Sequence, residues 1–232
     1  MVHCNQRVRF AATWREEFFE VPYYDLISRI KPQIETLTGT NWETPAYSDL
    51  ETLFREYELF SRRLSFGDLP AYKYMVYLRH HGFPSPLMDW TRSPYVAAYF
   101  AFRRITGKHV CIYVFCESPR NMKFRSSDRP TIHRFGPYVQ SHKRHFLQQS
   151  EYTICASFQG EWFFVPHEGV FDRGDKHEVV QQDVLWKFNL PAMEQVKVLR
   201  LLDEYNLNGY SLFGSEESLM ETMAFRELRF RE

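Results

Sequence analysis

Five consecutive residues, Asp89-Trp90-Thr91-Arg92-Ser93, place a carboxylate, an indole donor, two hydroxyls and a guanidinium directly before Pro94. Ser93-Pro94 is a helix-start signal, with a hydroxyl for the N-cap and a proline for the first helical position. The run therefore stands at a helix N-terminus, where unpaired backbone N–H groups make a ready anion site. In that setting Arg92 and the hydroxyls hold a phosphate or pyrophosphate, and Asp89 and Trp90 position a sugar or base. The same residues have a plain structural reading: Asp89 accepts backbone hydrogen bonds in a loop, and Thr91 or Ser93 is an ordinary cap.

A second constellation follows at His142-Lys143-Arg144-His145-Phe146-Leu147-Gln148-Gln149-Ser150-Glu151. Its Gln149-x-Glu151 triplet leads into a strand and offers a carboxylate to a ribose or to a developing oxocarbenium ion, which a nearby anion stabilises. The alternative is a solvated basic turn followed by an edge strand. His80-His81 are adjacent, so on a helix they diverge by about 100° and do not share a metal easily; core or capping roles suit them better.

Other chemistries lack their residues. No two glycines stand at G-x-G spacing, which removes the dinucleotide fingerprint. Gly169 and Gly174 have Walker-loop separation, but Asp175 stands where a lysine must meet phosphate. His177-Glu178 opens like a zinc-protease helix, yet Gln181 and Gln182 occupy the region of the second histidine. No G-x-S-x-G elbow occurs. No metal is predicted.

The elements that must position these residues read as follows. Within a largely helical N-terminal third, residues 47–63 place Leu50, Leu53, Phe54, Tyr57 and Phe60 on one face of a helix. A further helix runs from Asp68 to His80, with Tyr72, Met75, Val76 and Arg79 on its buried side, and Gly82 ends it. Residues 83–94 read as a rigid extended loop before an enclosed helix, Tyr95 to Phe102, apolar on every side. Val110 to Phe115 is a continuous apolar strand buried on both faces, and 117–138 a long polar loop. Strands are expected at 151–156, 161–166 and 184–190. Pro191 starts a helix carrying Met193, Val196, Leu199 and Leu202 inward, and Ser215 caps the last helix.

Composition sets the outer limits. The chain has 232 residues, and 29 Lys+Arg balance 29 Asp+Glu, so the global positive field of a typical nucleic-acid binder is absent. Its 21 Phe, 14 Tyr and 5 Trp supply ample core. No stretch approaches the roughly 18 apolar residues that span a bilayer, and the first residues lack the apolar core of a signal peptide; no membrane and a cytoplasmic location are expected. The cysteines at 4, 111, 116 and 155 read as buried reduced thiols, since Cys111 and Cys116 point to opposite strand faces.

Several of these segments together resemble the FRG domain family, which occurs widely in bacteria and their mobile elements. The resemblance is carried by Arg79-His80-His81-Gly82-Phe83-Pro84, by Leu87-Met88-Asp89-Trp90-Thr91, and by the Ala-rich helix ending Tyr99-Phe100-Ala101. It continues in Arg144 to Thr153, Gln182 to Lys187 and Asn206 to Phe213, spanning roughly residues 47–229. The Phe-Arg-Gly triplet for which the family is named is absent; Arg29 at best resembles an arginine some distance after it. Ser85-Pro86 stand where many members have Thr-Arg. Residues 1–46 thus read as a diverged or truncated N-terminal segment and 47–232 as one FRG-like unit.

The resemblance implies a likeness to ADP-ribosyltransferases, in which an N-terminal arginine or histidine, a middle strand-to-helix segment and a late glutamate surround NAD. By that analogy Thr91 and Ser93 belong to the middle segment, Glu151 with Gln149 is the catalytic pair, and His81, Asp89, Trp90, Arg92 and Arg144 line the ligand. The expectation is an α+β fold: a helical N-terminal third, a mixed or antiparallel sheet, a buried central helix and C-terminal helices, ADP-ribosyltransferase-like in outline. NAD is the expected substrate, with a small nucleotide or protein target as partner. The rival is a non-catalytic interaction module, supported by exposed-looking aromatics at Tyr23, Tyr24, Trp42 and Tyr47. The third class is nucleic-acid binding through the 142–145 turn, with Phe146 and Tyr152 as stacking partners.

Overall fold

The computed structural model describes residues 2–4, 20–119, 129–136, 143–171 and 183–230. The architecture is α+β, and every strand pairing among the described residues is antiparallel. After a strand at Val2–Cys4, four helices follow among the described elements: α1 (Glu20–Thr38), α2 (Tyr47–Arg55), α3 (Tyr57–Ser65) and α4 (Tyr72–His80). The sheet runs in the order β4-β5-β2-β1-β3-β7, with β6 pairing β5. Its strands are β1 (Val2–Cys4), β2 (Met88–Thr91), β3 (His109–Glu117), β4 (Thr131–Phe135), β5 (Ser150–Phe158), β6 (Trp162–Phe164) and β7 (Asp183–Pro191). Helix α5 (Pro94–Arg103) follows β2, and the short α6 (Lys143–Leu147) precedes β5. The C-terminal helices are α7 (Gln195–Glu204), α8 (Gly209–Phe213) and α9 (Glu216–Leu228).

The strand register assigns side chains to faces, because paired residues share a face and successive ones alternate. Tyr152 pairs Asp89, Thr91 pairs Val2, and Val2 pairs Val114. Tyr152, Ile154, Phe135, Ile112 and Val110 therefore lie on one face. That face carries both large cores. Under β4 and β5 it meets α1–α4 through Tyr23, Tyr24, Phe54, Phe60 and Met75. Under β3 it meets α5 and the C-terminal helices through Val96, Phe102, Leu199 and Leu212. The opposite face holds a smaller cluster of Trp90, Phe115, Ile132, Cys155 and Val170.

Several expectations change on this frame. The single helix read at 47–63 is two, broken at Glu56, whose φ of −102° and ψ of 110° are extended. The break lets both apolar ends meet one core, with Phe54 and Phe60 edge-on at 4.8 Å. Tyr72 begins α4, later than the Asp68 expected. The loop read before α5 contains a strand, because Met88–Thr91 finds a partner in β5 that local sequence does not announce. Another strand, Thr131–Phe135, lies inside the stretch read as a polar loop. Val110 and Phe115 are buried, but the β3 residues between them are half-buried. Met193 faces solvent, since residues 192–194 form a 3-10 turn that shifts the helical face. Tyr23 and Tyr24 are core residues, and Trp42 packs 4.6 Å from Tyr77. The side chain of Tyr47 lies outside the described residues, as do His177, Glu178, Gln181 and Gln182. Cys155 is a buried free thiol, and Cys111 and Cys116 are half-buried free thiols.

The start of α5 is as expected: Ser93 Oγ accepts the Val96 N–H at 3.3 Å and Pro94 takes the first position. Ser215 caps α9 with a reciprocal capping box. Gly82 has φ +84°, so the αL region closes α4. At Gly209 a Cβ would stand 3.0 Å from the Tyr99 hydroxyl and 3.1 Å from the Ser218 carbonyl, so α8 approaches α9 as closely as glycine allows. No helix among the described residues is long and apolar enough to cross a membrane.

Candidate functional site

Because Met88–Thr91 is a strand, its pleat divides the Asp89–Ser93 constellation in two. Asp89 and Thr91 point to the helical face, while Trp90 and Arg92 belong to the opposite one. Each half joins a different group of side chains on β5.

On the face away from the helices, Glu151 is the centre. It is 1% exposed and pairs with Arg134 through both oxygens, Nε to Oε2 at 2.9 Å and a terminal nitrogen to Oε1 at 3.0 Å. Arg92 Nε lies 3.7 Å from Oε1. The Arg92 and Arg134 side chains are 57% and 45% exposed, so one buried carboxylate holds two half-exposed arginines. A planar guanidinium carries five N–H donors, and two are enough for the carboxylate. Two positive charges over one negative leave the group net positive. Beside it, Trp90 Nε1–H donates to Thr153 Oγ1 at 2.8 Å, and that hydroxyl is 2.8 Å from His167 Nε2. The indole is thus anchored in the wall of the small core, 5.4 Å from Phe115.

On the helical face, Asp89 Oδ2 accepts from Arg79 Nε at 3.1 Å. Tyr152, cross-strand from Asp89, is fully buried, and its hydroxyl sits 2.5 Å from His80 Nε2 and 3.0 Å from His145 Nδ1. His145 stacks on the Tyr152 ring with planes 10° apart. Burial, then the neighbouring Asp89 charge and Tyr72, push the Tyr152 phenol well above its ordinary value, so it stays protonated. Tyr72 is raised by burial and by Asp89 and Glu151, and its hydroxyl donates to the Gly136 carbonyl.

The other residues expected at the site serve local structure. Thr91 Oγ1 donates to the Gln148 carbonyl at 2.7 Å and accepts the Ser93 N–H, while Ser93 caps α5. Gln149 is exposed, with φ 49°, and its carbonyl accepts the Arg92 N–H at 3.1 Å. It is the turn residue that aims β5. Arg144 reaches away, donating to the Phe213 carbonyl with its guanidinium 5.5 Å from that ring. His81 is exposed against Tyr77 at the end of α4, and its neighbour His80 reaches the cluster instead. In the turn read as basic, His145 is buried, and Tyr152 beneath it is too enclosed to stack on a base; Phe146 alone of the expected stacking pair is exposed. His142 lies outside the described residues. Among the described residues no group of three or more His, Cys, Asp and Glu side chains gathers where a metal would sit.

Sequence reasoning missed Arg134, the principal partner of Glu151, since it falls in the stretch taken as a loop. The alternation in Thr131-Ile132-His133-Arg134-Phe135, β-branched and aromatic, was the available signal. His80 and Tyr152 were visible, but only a strand pairing with helices packed over it brings them together.

Residues 25–109 match the family model described as the FRG domain. No curated protein and no solved structure matches the chain. The matched segment contains Arg79, His80, Asp89 and Arg92 and stops before Arg134, His145, Glu151 and Tyr152. Each cluster therefore takes one part from the matched segment and one from outside it.

Proposed function

We propose that this chain, whose match supports the FRG domain family, binds an anionic nucleotide of the NAD class at Arg92 and Arg134. The observation that carries the reading is Glu151, a carboxylate 1% exposed that holds two half-exposed arginines side by side. A guanidinium fixed by a buried carboxylate loses little side-chain freedom when an oxyanion arrives, and its planar fork matches phosphate oxygens. Trp90, anchored through Thr153, forms the adjoining wall.

Ribosyl transfer or hydrolysis through Glu151 requires a further event. Arg134 must turn from the carboxylate to the phosphates, freeing Glu151 for a ribose hydroxyl or an oxocarbenium centre. The bidentate Arg134–Glu151 pair favours the second reading, a binding module in which Glu151 positions the arginines and performs no chemistry.

Calorimetry with NAD and ADP-ribose, followed by incubation with labelled NAD, tests both. Binding is expected, weakened roughly 10- to 100-fold by Arg92→Gln, the loss of one charge-assisted contact of about 1.5–3 kcal/mol. Absence of binding by the folded wild type overturns the proposal. Turnover abolished by Glu151→Gln supports the transferase, whereas binding without turnover supports the module.

A further inference from the structure

We propose that strand β7 is a dimerisation edge, on which a second copy of this chain pairs antiparallel across a two-fold axis at Leu185. β7 is the last strand in the order β4-β5-β2-β1-β3-β7, and among the described residues it pairs with β3 alone. An antiparallel strand directs alternate backbone N–H and C=O groups away from its neighbour, so this edge carries a row of donors and acceptors suited to a further strand.

The edge is long, regular and apolar. Asp183–Pro191 keeps register with His109–Glu117 throughout, without a bulge, and its one proline is the last residue. Residues 186–189 are exposed without interruption. Successive side chains alternate between faces, so consecutive exposed residues mean that this stretch is open on both faces of the sheet. Trp186 and Phe188, on the helical face, are 47% and 51% exposed. Native edges are blunted by shortness, proline, a bulge or a charge. Along the exposed stretch only the charge is present, as Lys187.

That lysine selects the occupant. Asp183, Leu185 and Lys187 share the face that bears the smaller core. On it Asp183 stands cross-strand from Glu117, while Lys187 stands cross-strand from Tyr113, with its ammonium 5.8 Å from the centre of that ring. The face therefore has an acidic row and, four residues along, a basic one. With Leu185 opposite Leu185 of a second copy, Lys187 lies opposite Asp183 of that copy, and Asp183 opposite its Lys187. Val184 and Trp186 pair reciprocally on the helical face. Asp183 is buried and oriented by the Ser118 N–H at 3.1 Å, and the long exposed lysine is the group that reaches across. Moving the axis to Lys187 would set the two lysines against each other, which disfavours that register. A strand of another protein would have to bring the same spacing of charges, whereas a second copy has it by symmetry. The balance of 29 Lys+Arg and 29 Asp+Glu leaves no net charge to hold copies apart.

Analytical ultracentrifugation of the full-length wild-type chain, from micromolar to hundreds of micromolar, tests the pairing. A strand-edge contact is small beside a standard interface, so a reversible dimer is expected, its average mass rising with concentration toward twice that of the monomer. Lys187→Glu changes an exposed residue and sets a carboxylate opposite Asp183; it should weaken the dimer at least about 10-fold. In Leu185→Cys the two new thiols face each other across the axis, and mild oxidation should yield a disulfide-linked dimer that wild type so treated does not form. A wild type that stays monomeric throughout overturns the proposal and leaves the edge to a strand of another protein. A dimer that Lys187→Glu does not weaken overturns it too, because its interface then lies elsewhere. The experiment uses no nucleotide, so its result is independent of the NAD reading.

Discussion

Glu151 and Tyr152 are adjacent, nearly inaccessible and polar, yet they are buried by different physics. Glu151 is a carboxylate paired with two half-exposed arginines. Tyr152 is neutral and is satisfied by two imidazoles beneath packed helices. The difference follows from what covers each face. Four helices close over Tyr152, where an isolated charge would be prohibitively desolvated. Among the described residues the other face carries the smaller core, and there half-exposed arginines reach from a buried carboxylate to water. A single strand therefore carries a carboxylate paired with arginines on one side and a phenol held between two imidazoles on the other.

Changing pH should break this comparison most completely. Tyr23, Tyr72 and Tyr152 are raised above the ordinary 10.0, in each case chiefly by burial. Their folded values exceed the unfolded one, so the stability they confer is present below about pH 10 and is lost as pH rises through the folded values. Thermal melts should fall steeply above that point, with tyrosinate absorbance appearing only as the chain unfolds.

Next in size is Arg134→Ala, expected to remove about 2–3 kcal/mol. This lies at or below the range for breaking a buried pair, because Arg134 is half-exposed and Arg92 remains beside Glu151. Denaturant unfolding of the variant beside the wild type at neutral pH checks it. Tyr152→Phe should cost about 1–2 kcal/mol, the loss of one hydroxyl serving two imidazoles. Arg92→Ala should change stability by no more than about 0.5 kcal/mol, since its ion pair is long and more than half exposed. Its effect is expected in anion binding, which separates the contribution of Arg92 from the part that Arg134 plays in stability.

Much of this was legible in the residues. The cap at Ser93-Pro94, the stop at Gly82, the capping box at Ser215 and the strands around 110–115, 151–156 and 184–190 rest on near-neighbour chemistry and appear where expected. Errors arose where the deciding partner is remote. Met88–Thr91 has little strand signal of its own, and β5 makes it a strand. Arg134 reads in sequence as loop polarity, and only its pairing with Thr153 makes it part of a strand. His80 and His81 were indistinguishable as a dipeptide; the approach of Tyr152 selects His80. Tyr23 and Tyr24, which looked exposed, lie in the largest core because α1 packs against the sheet.

Sequence alone determined the α+β class, the order of most elements, the aromatic wealth of the core and the two segments that carry the polar clusters, since these depend on short-range periodicity, caps and composition. Tertiary structure decided which members of those segments meet. The pleat of β2 sends Asp89 and Trp90 to opposite faces, β4 brings Arg134 to Glu151, and packing of α4 and α6 over β5 closes two histidines around Tyr152. Side-chain direction alternates residue by residue, so a shift of one position in strand register would have exchanged the two clusters. Register is set by partners more than 50 residues away in sequence, and no local pattern encodes it.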